Sequence, residues 1–167
     1  MRIGIISDSH DNVWRLDEAI QHLKTVDLVL HCGDLISPFM VHRLAKGLAS
    51  IPIHTVWGNN DGDKLTVARI AQDYPAFTIH GEFAELEIDG CRIAINHYPE
   101  IARGLAHSGK YDLVCYGHDH TAFEDQIGQT ILLNPGEVMG MNGRSTLAFF
   151  DTKMRRVEFI EFWRENS

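Results

Sequence analysis

Short apolar runs recur along the chain, separated by stretches of helical spacing. "RIGII" (2–6), "DLVLH" (27–31) and "DLVCY" (112–116) are apolar without alternation. Such runs fit strands covered on both faces of a sheet. Between the first two lies "DNVWRLDEAIQHL" (11–23), where Val13, Leu16, Ile20 and Leu23 fall at helical spacing and Arg15, Asp17 and Glu18 fall elsewhere. Ser37 and Pro38 read as an N-cap and first helical residue, and Gly47 as a terminator, so a helix is predicted over 38–46. Pro99 and Gly109 bracket a third helix, and another is predicted near 63–72. From "AFTIH" (76–80) onward the pattern changes. "FAELEID" (83–89) and "CRIAIN" (91–96) flank an Asp89–Gly90 hairpin signal, and "AFEDQIG" and "QTILLN" pair around Gly128. "STLAFFDTKMRRVEFIEFW" (145–163) reads as a last hairpin. This mixture of βα units and hairpins predicts an α/β fold with two sheets face to face and helices outside. Trp14, Trp57 and the phenylalanines near 149–162 are expected in the core.

Composition narrows the function classes. At 167 residues the chain suits one domain with a sizeable core. A net charge of -8 offers no basic field for long nucleic acid or a membrane surface. No apolar run approaches the ~18 residues of a membrane span. The start "MRIGIISDSHD" reaches Asp8 too early for a signal peptide. Cys32, Cys91 and Cys115 are odd in number and form no CxxC pair, so reduced, buried thiols in a cytoplasmic protein are expected. An exposed part of the last hairpin could serve self-association, which leaves a homo-oligomer open.

The chemistry lies at the ends of the apolar runs. "SDSH" places Asp8 and His10 after the first run, and "CGD" places Asp34 after the second. "WGNND" supplies Asn59, "INHYP" supplies His97, and "YGHDH" supplies His118 and His120. "VDLVLHCGD" faintly echoes "YDLVCYGHDH", as if two strands delivered ligands to one rim. Taken singly, several of these residues have plainer readings. Asp8 could cap the following helix, although Asp11 or Asn12 can fill that role, and His97 could cap the helix after Pro99. Together they are two carboxylates, one amide and four imidazoles. That is too many for one tetrahedral zinc. With one shared carboxylate they suit two divalent cations about 3.5–4 Å apart. Mixed O/N donors without thiolate favour manganese, iron, zinc or nickel. His31, His54, His80 and His107 lack comparable motif support, and His22 and His42 read as surface residues on helices.

In that order, "DSH", "GD", "GNND", "NH" and "GHDH" resemble the calcineurin-like metallophosphoesterases, above all their small bacterial and archaeal phosphodiesterase branch. "LNPGE" (133–137) resembles the family's Asn-Pro-Gly segment. The resemblance implies a four-layer αββα sandwich of two mixed β-sheets flanked by helices. It implies a first metal held by Asp8, His10 and His120 and a second held by Asn59, His97 and His118, with Asp34 bridging. Asp34, Asn59, Asn60 and His97 would form the catalytic group. The implied cofactors are two divalent ions, manganese first, with iron, nickel or zinc as alternatives. The implied reaction is hydrolysis of a small phosphate ester, a diester first, by a metal-bridging hydroxide. A phosphomonoesterase, a nuclease or a metal-binding scaffold like the retromer subunit of this fold are the alternatives. Two residues depart from the family pattern. Tyr98 stands where Gly is frequent, and Asn60 stands where His or Cys is frequent. An amide there can donate a hydrogen bond but is no acid near pH 7.

Overall fold

The computed structural model describes residues 1–165. Its first half is a run of βα units: β1 (Arg2–Ile6), α1 (Val13–Leu23), β2 (Leu28–His31), α2 (Pro38–Leu48), β3 (Ile53–Thr55), α3 (Lys64–Ala71) and β4 (Phe77–Ile79). The second half brings β5 (Phe83–Ile88), β6 (Cys91–Asn96), α4 (Pro99–His107), β7 (Leu113–Cys115), β8 (Ala122–Ile127), β9 (Thr130–Pro135), β10 (Arg144–Asp151) and β11 (Arg156–Arg164). One sheet has the order β11-β10-β1-β2-β3-β4 and the other β5-β6-β7-β9-β8. Both are mixed. β1 to β4 run parallel while β10 and β11 join antiparallel. In the other sheet β6, β7 and β9 are parallel, with an antiparallel strand at each edge.

Strand periodicity divides the apolar residues among three interfaces. Ile3 and Ile5 of β1, Leu28 and Leu30 of β2, and Ala148 and Phe150 of β10 face inward. There they meet Ile93, Ile95, Leu113 and Leu133 of the second sheet. Alternate residues, Val29, Leu147 and Phe149, turn outward onto Leu16, Ile20, Val41 and Leu44 of the helices. On the far side, Ala94, Val114 and Leu132 receive Ala102 and Ala106 of α4. The result is the expected αββα sandwich. No helix of the described residues is long and apolar enough to cross a membrane.

Three local expectations change. Trp14 is 75% exposed and Phe159, on the edge strand β11, is 37% exposed, rather than core. The buried stripe of α1 runs through Leu16, Ala19, Ile20 and Leu23, and Trp14 lies off it, at helical spacing from Asp17, Glu18 and Gln21. Gly47 does not end α2. The helix continues to Leu48, a Cβ at Gly47 would come within 2.8 Å of Ile20, and the left-handed turn falls on Ala49 (φ 52°). Ser37 occupies the N-cap of α2 without capping it, because its hydroxyl donates to Asp11 Oδ2 at 2.7 Å. Asn12 does cap α1, accepting from the Arg15 amide, which leaves Asp8 free of that task.

Candidate metal centre

Every predicted donor follows the carboxyl end of a parallel strand. Asp8 and His10 follow β1, Asp34 follows β2, Asn59 follows β3, His97 follows β6, and His118 and His120 follow β7. Because the sheets pack face to face, the loops of the first meet the loops of the second at one edge. The chain turns sharply to present these side chains. Asp8 (φ 53°), His10 (39°), Asp34 (58°), His118 (75°) and His120 (56°) all have left-handed backbones. Such backbones cost energy and persist where surrounding contacts over-determine them. Here the main chain supplies those contacts: the Asp8 amide donates to Gly33 O, the His10 amide to Asp34 O, and the Gly117 amide to His97 O, each at 3.1 Å.

Two glycines let the loops close. A Cβ on Gly58 would lie 2.2 Å from Asp34 Oδ1 and 2.7 Å from the Asp34 amide nitrogen. A Cβ on Gly117 would lie 2.0 Å from Ser7 Oγ and 2.6 Å from Asp8 Oδ2. The glycines of "GNND" and "GHDH" are therefore required by close approach.

The donor atoms converge as two groups. Asp8 Oδ1 lies 3.4 Å from His120 Nε2 and 3.8 Å from His10 Nε2. Asn59 Oδ1 lies 2.9 Å from His97 Nε2 and 2.8 Å from His118 Nδ1. Asp34 Oδ2 joins the groups, at 3.4 Å from both His10 Nε2 and His97 Nε2. Donors about 2.1 Å from a shared ion sit roughly 3.0–3.4 Å from one another, so this spacing suits coordination. Asp8, His10 and His120 form one set close enough to hold an ion, and Asp8, Asp34 and His97 form another, so Asp8 borders both. The chemistry of individual atoms agrees. Asp8 Oδ1 and His10 Nε2 are buried and have no hydrogen-bond partner. Buried polar atoms without partners are costly, and a cation held between them would satisfy both.

Electrostatics also suit cation binding. Burial raises the Asp34 carboxyl, but its contacts with His97 and Asn60 outweigh it and hold the group well below the usual carboxylate range. Burial lowers His97, and its contacts with Asp34 and Asp8 reverse the sign. Glu137 is the main cause that raises His120.

Sequence reasoning passed over the residues that hold these donors. Asp61, the last residue of "GNND", is buried and accepts three main-chain amides: Asp34 at 3.1 Å, Gly58 at 2.7 Å and Ile36 at 2.7 Å. Fully buried His31 is pushed down to about 4 by burial. Its neutral ring takes the Gly33 amide on Nδ1 and meets Ser9 Oγ with Nε2, which ties the Asp8 loop to the Asp34 loop. Glu137 binds His120 Nδ1 at 2.5 Å. Asn60 does not stand free, because its amides engage Asp34. The other histidines lie elsewhere. His54 and His80 bond each other at 2.8 Å, and His107 bonds Arg103 O of its own helix.

Carboxylate, amide and imidazole donors gathered where two mixed sheets meet define a candidate metal centre, and the family of the chain makes it that of a phosphoesterase. The chain belongs to the calcineurin-like phosphoesterase superfamily, whose domain pattern matches residues 1–155. A phosphodiesterase of Methanocaldococcus jannaschii is 32% identical over 165 residues, spanning 96% of this chain and 98% of its own. The solved structure of an archaeal phosphodiesterase superposes with a TM-score of 0.88 at 31% identity, covering 96% of this chain and 99% of that one. Vps29 of Entamoeba histolytica, solved as a complex with zinc, gives a TM-score of 0.66 at 17% identity over 97% of this chain and 99% of its own. At that identity the likeness is one of fold alone.

Proposed function

We propose that this phosphoesterase is one metallophosphoesterase domain that hydrolyses a small phosphodiester with two divalent ions, manganese first. The observation that carries the dinuclear reading is Asp34 Oδ2, equidistant at 3.4 Å from His10 Nε2 and His97 Nε2. Asp8, His10 and His120 with Asp34 would hold one ion, and Asn59, His97 and His118 with Asp34 the other. Two such ions supply hydroxide near neutral pH and positive charge for the phosphoryl oxygens. An oxygen- and imidazole-rich donor set without thiolate supports manganese over softer ions. Iron, nickel and zinc remain the alternatives.

The protein's own groups do the positioning. Asp34 and Asp8 are buried and fixed by main-chain donors, so their carboxylates need no reorganisation. His97 donates from Nδ1 to Cys32 O at 2.8 Å, which turns its bare Nε2 toward Asn59 and Asp34. Histidine and Asn59 are neutral donors, so two dications against two carboxylates leave the cluster positive. The chain charge of -8 therefore does not oppose an anionic ester. Attack of water oxygen on phosphorus forms one P–O bond as the ester P–O bond opposite it breaks, and the alcohol leaves.

The diester preference is supported by the 32% identical phosphodiesterase. A monoesterase or nuclease on the same site is the alternative chemistry. The non-catalytic scaffold reading has fold neighbours in Vps29 but is disfavoured by the presence of all seven donor residues here. Cys32, Cys91 and Cys115 are buried and unpaired, which supports a reducing, cytoplasmic setting.

The test is protein stripped by chelation and reconstituted with manganese. It should bind two ions per chain and cleave bis-p-nitrophenyl phosphate faster than p-nitrophenyl phosphate, with a panel of natural diesters narrowing the substrate. Saturation at one ion, or hydrolysis that survives exhaustive chelation, overturns the dinuclear reading.

A further inference from the structure

We infer that the two ion positions are unequal, and that Glu137 makes them so as a positioning residue, holding His120 so that the Asp8–His10–His120 position binds tightly and the Asn59–His97–His118 position exchanges. The inference rests on the dinuclear reading above.

Glu137 is 2% exposed, and each of its carboxylate oxygens has one partner. Oε2 meets His120 Nδ1 at 2.5 Å, and Oε1 accepts the Asn142 amide at 2.5 Å. The segment that carries it is pinned to the segment that carries Asp8. Val138 N donates to Ser7 O and Met139 N to Asp8 O, both at 3.0 Å, while Thr146 N of β10 donates to Glu137 O at 2.9 Å. Glu137 thus follows β9 of one sheet and is locked against β1 and β10 of the other. The lock sets the His120 ring. Nδ1–H points at the carboxylate, and bare Nε2 points at Asp8 Oδ1, 3.4 Å away. A carboxylate behind a ligand imidazole fixes its tautomer and orientation and raises its basicity.

Among the described residues, no corresponding carboxylate stands behind the other position. The His97 ring is held by the uncharged carbonyl of Cys32. His118 turns its Nδ1 to Asn59 Oδ1, and both residues are exposed. The two positions share Asp34. Asp8 borders both as well. Beyond these two carboxylates, the first has an imidazole backed by the buried Glu137 charge, and the second has an amide and two neutral rings. More fixed negative charge in a drier place means tighter binding of a dication.

Metal titration of the stripped protein with manganese, followed by calorimetry, tests this without any assay of turnover. Two binding classes are expected, separated by about 10–100-fold. His120→Ala should remove the tight class and His118→Ala the weak one. Glu137→Gln keeps an oxygen facing Nδ1 but removes the charge, and should weaken the tight class by about 10–100-fold while leaving the weak class in place. Nitrogen NMR of the zinc-loaded wild-type protein gives a second readout that needs no variant: His120 should carry its proton on Nδ1 and bind through Nε2. Two equal ions in the wild type, an intact tight class in Glu137→Gln, or His120 bound through Nδ1 would each overturn the inference and leave a dinuclear enzyme standing. Saturation of the wild type at a single ion would overturn the dinuclear reading and this inference with it.

Discussion

Asn60 donates twice to Asp34, from its main-chain amide to Oδ1 at 2.8 Å and from its side-chain amide to Oδ2 at 2.7 Å. The residue that replaces the family's frequent His or Cys therefore holds the carboxylate that joins the two donor groups. It has no proton to give a departing alkoxide near pH 7.

The first prediction follows from that lack. An alcohol must leave largely unprotonated or take its proton from water, so kcat/KM should fall steeply as the leaving-group pKa rises. Aryl diesters should be better substrates than alkyl diesters. Asn60→His keeps the main-chain bond to Asp34, loses the side-chain amide bond and adds an acid. It should flatten the dependence and favour alkyl esters relative to aryl ones, within the about 10²–10⁴-fold that general acid catalysis supplies. Metal stoichiometry must be measured beside the rates, because a new imidazole can also bind an ion. A wild-type rate insensitive to leaving-group pKa refutes the prediction.

Asp34 and His120 make a second comparison. Asp34 Oδ2 touches both donor groups, whereas His120 Nε2 faces only Asp8. At saturating manganese, Asp34→Asn should lower occupancy at both positions and cost more activity than His120→Ala. Metal analysis after gel filtration, with rates on the same samples, decides it. Full two-ion binding and a near-normal rate in Asp34→Asn would remove Asp34 from the bridging position.

Asp61 carries a third prediction, about stability as much as metal. Its carboxylate accepts amides from Asp34, Gly58 and Ile36, and only an acceptor can serve all three. Asp61→Asn turns one acceptor into a donor and strands at least one buried main-chain N–H, at a cost of about 1–3 kcal/mol. For a chain of this size that lowers Tm by roughly 2–4 °C per kcal/mol. Metal affinity should fall with it, because the same amides shape the Asp34 and Asn59 loops. An unchanged thermal melt would show that Asp61 is dispensable there.

The positions of the candidate donors were legible in the sequence because each follows an apolar run directly, so no long-range information was needed to place them at strand ends. The layered fold was legible for a similar reason, since helical and strand periods mark which face each segment buries. Residues that act across the two sheets were not. Glu137 meets His120 only because β9 leads back to β1 and β10, and Asp61 meets Asp34 only because β2 and β3 are neighbours. Nothing local separates such carboxylates from turn residues. His31 ends an apolar strand, as many core residues do, and only its contacts with Ser9 and Gly33 reveal its work. Trp14 misled through its size. An aromatic ring at the start of a helix is read as core, but the helical stripe decides which side faces inward, and Trp14 lies off it.

Gly58 supports the last prediction, which separates close packing from chain flexibility. It has no positive φ, so its need for Gly comes from space alone. A methyl group there would lie 2.2 Å from Asp34 Oδ1, 2.7 Å from the Asp34 nitrogen and 2.8 Å from the Asp34 carboxyl carbon. The side chain could swing aside, but the main-chain nitrogen is held by the Asp61 carboxylate and cannot. Gly58→Ala should therefore move the Asp34 loop, at an overpacking cost of about 1–3 kcal/mol. Because Asp34 belongs to both donor groups, the variant should lose affinity for both ions together rather than for one. Gly62→Ala, two residues beyond Asn60, is the control, since no atom lies within 4 Å of a Cβ built there. It should melt and bind manganese like the wild type. Thermal melts and metal titrations of the two variants side by side give the answer: if Gly58→Ala matches Gly62→Ala in both, the close approach of the two loops is not what positions Asp34.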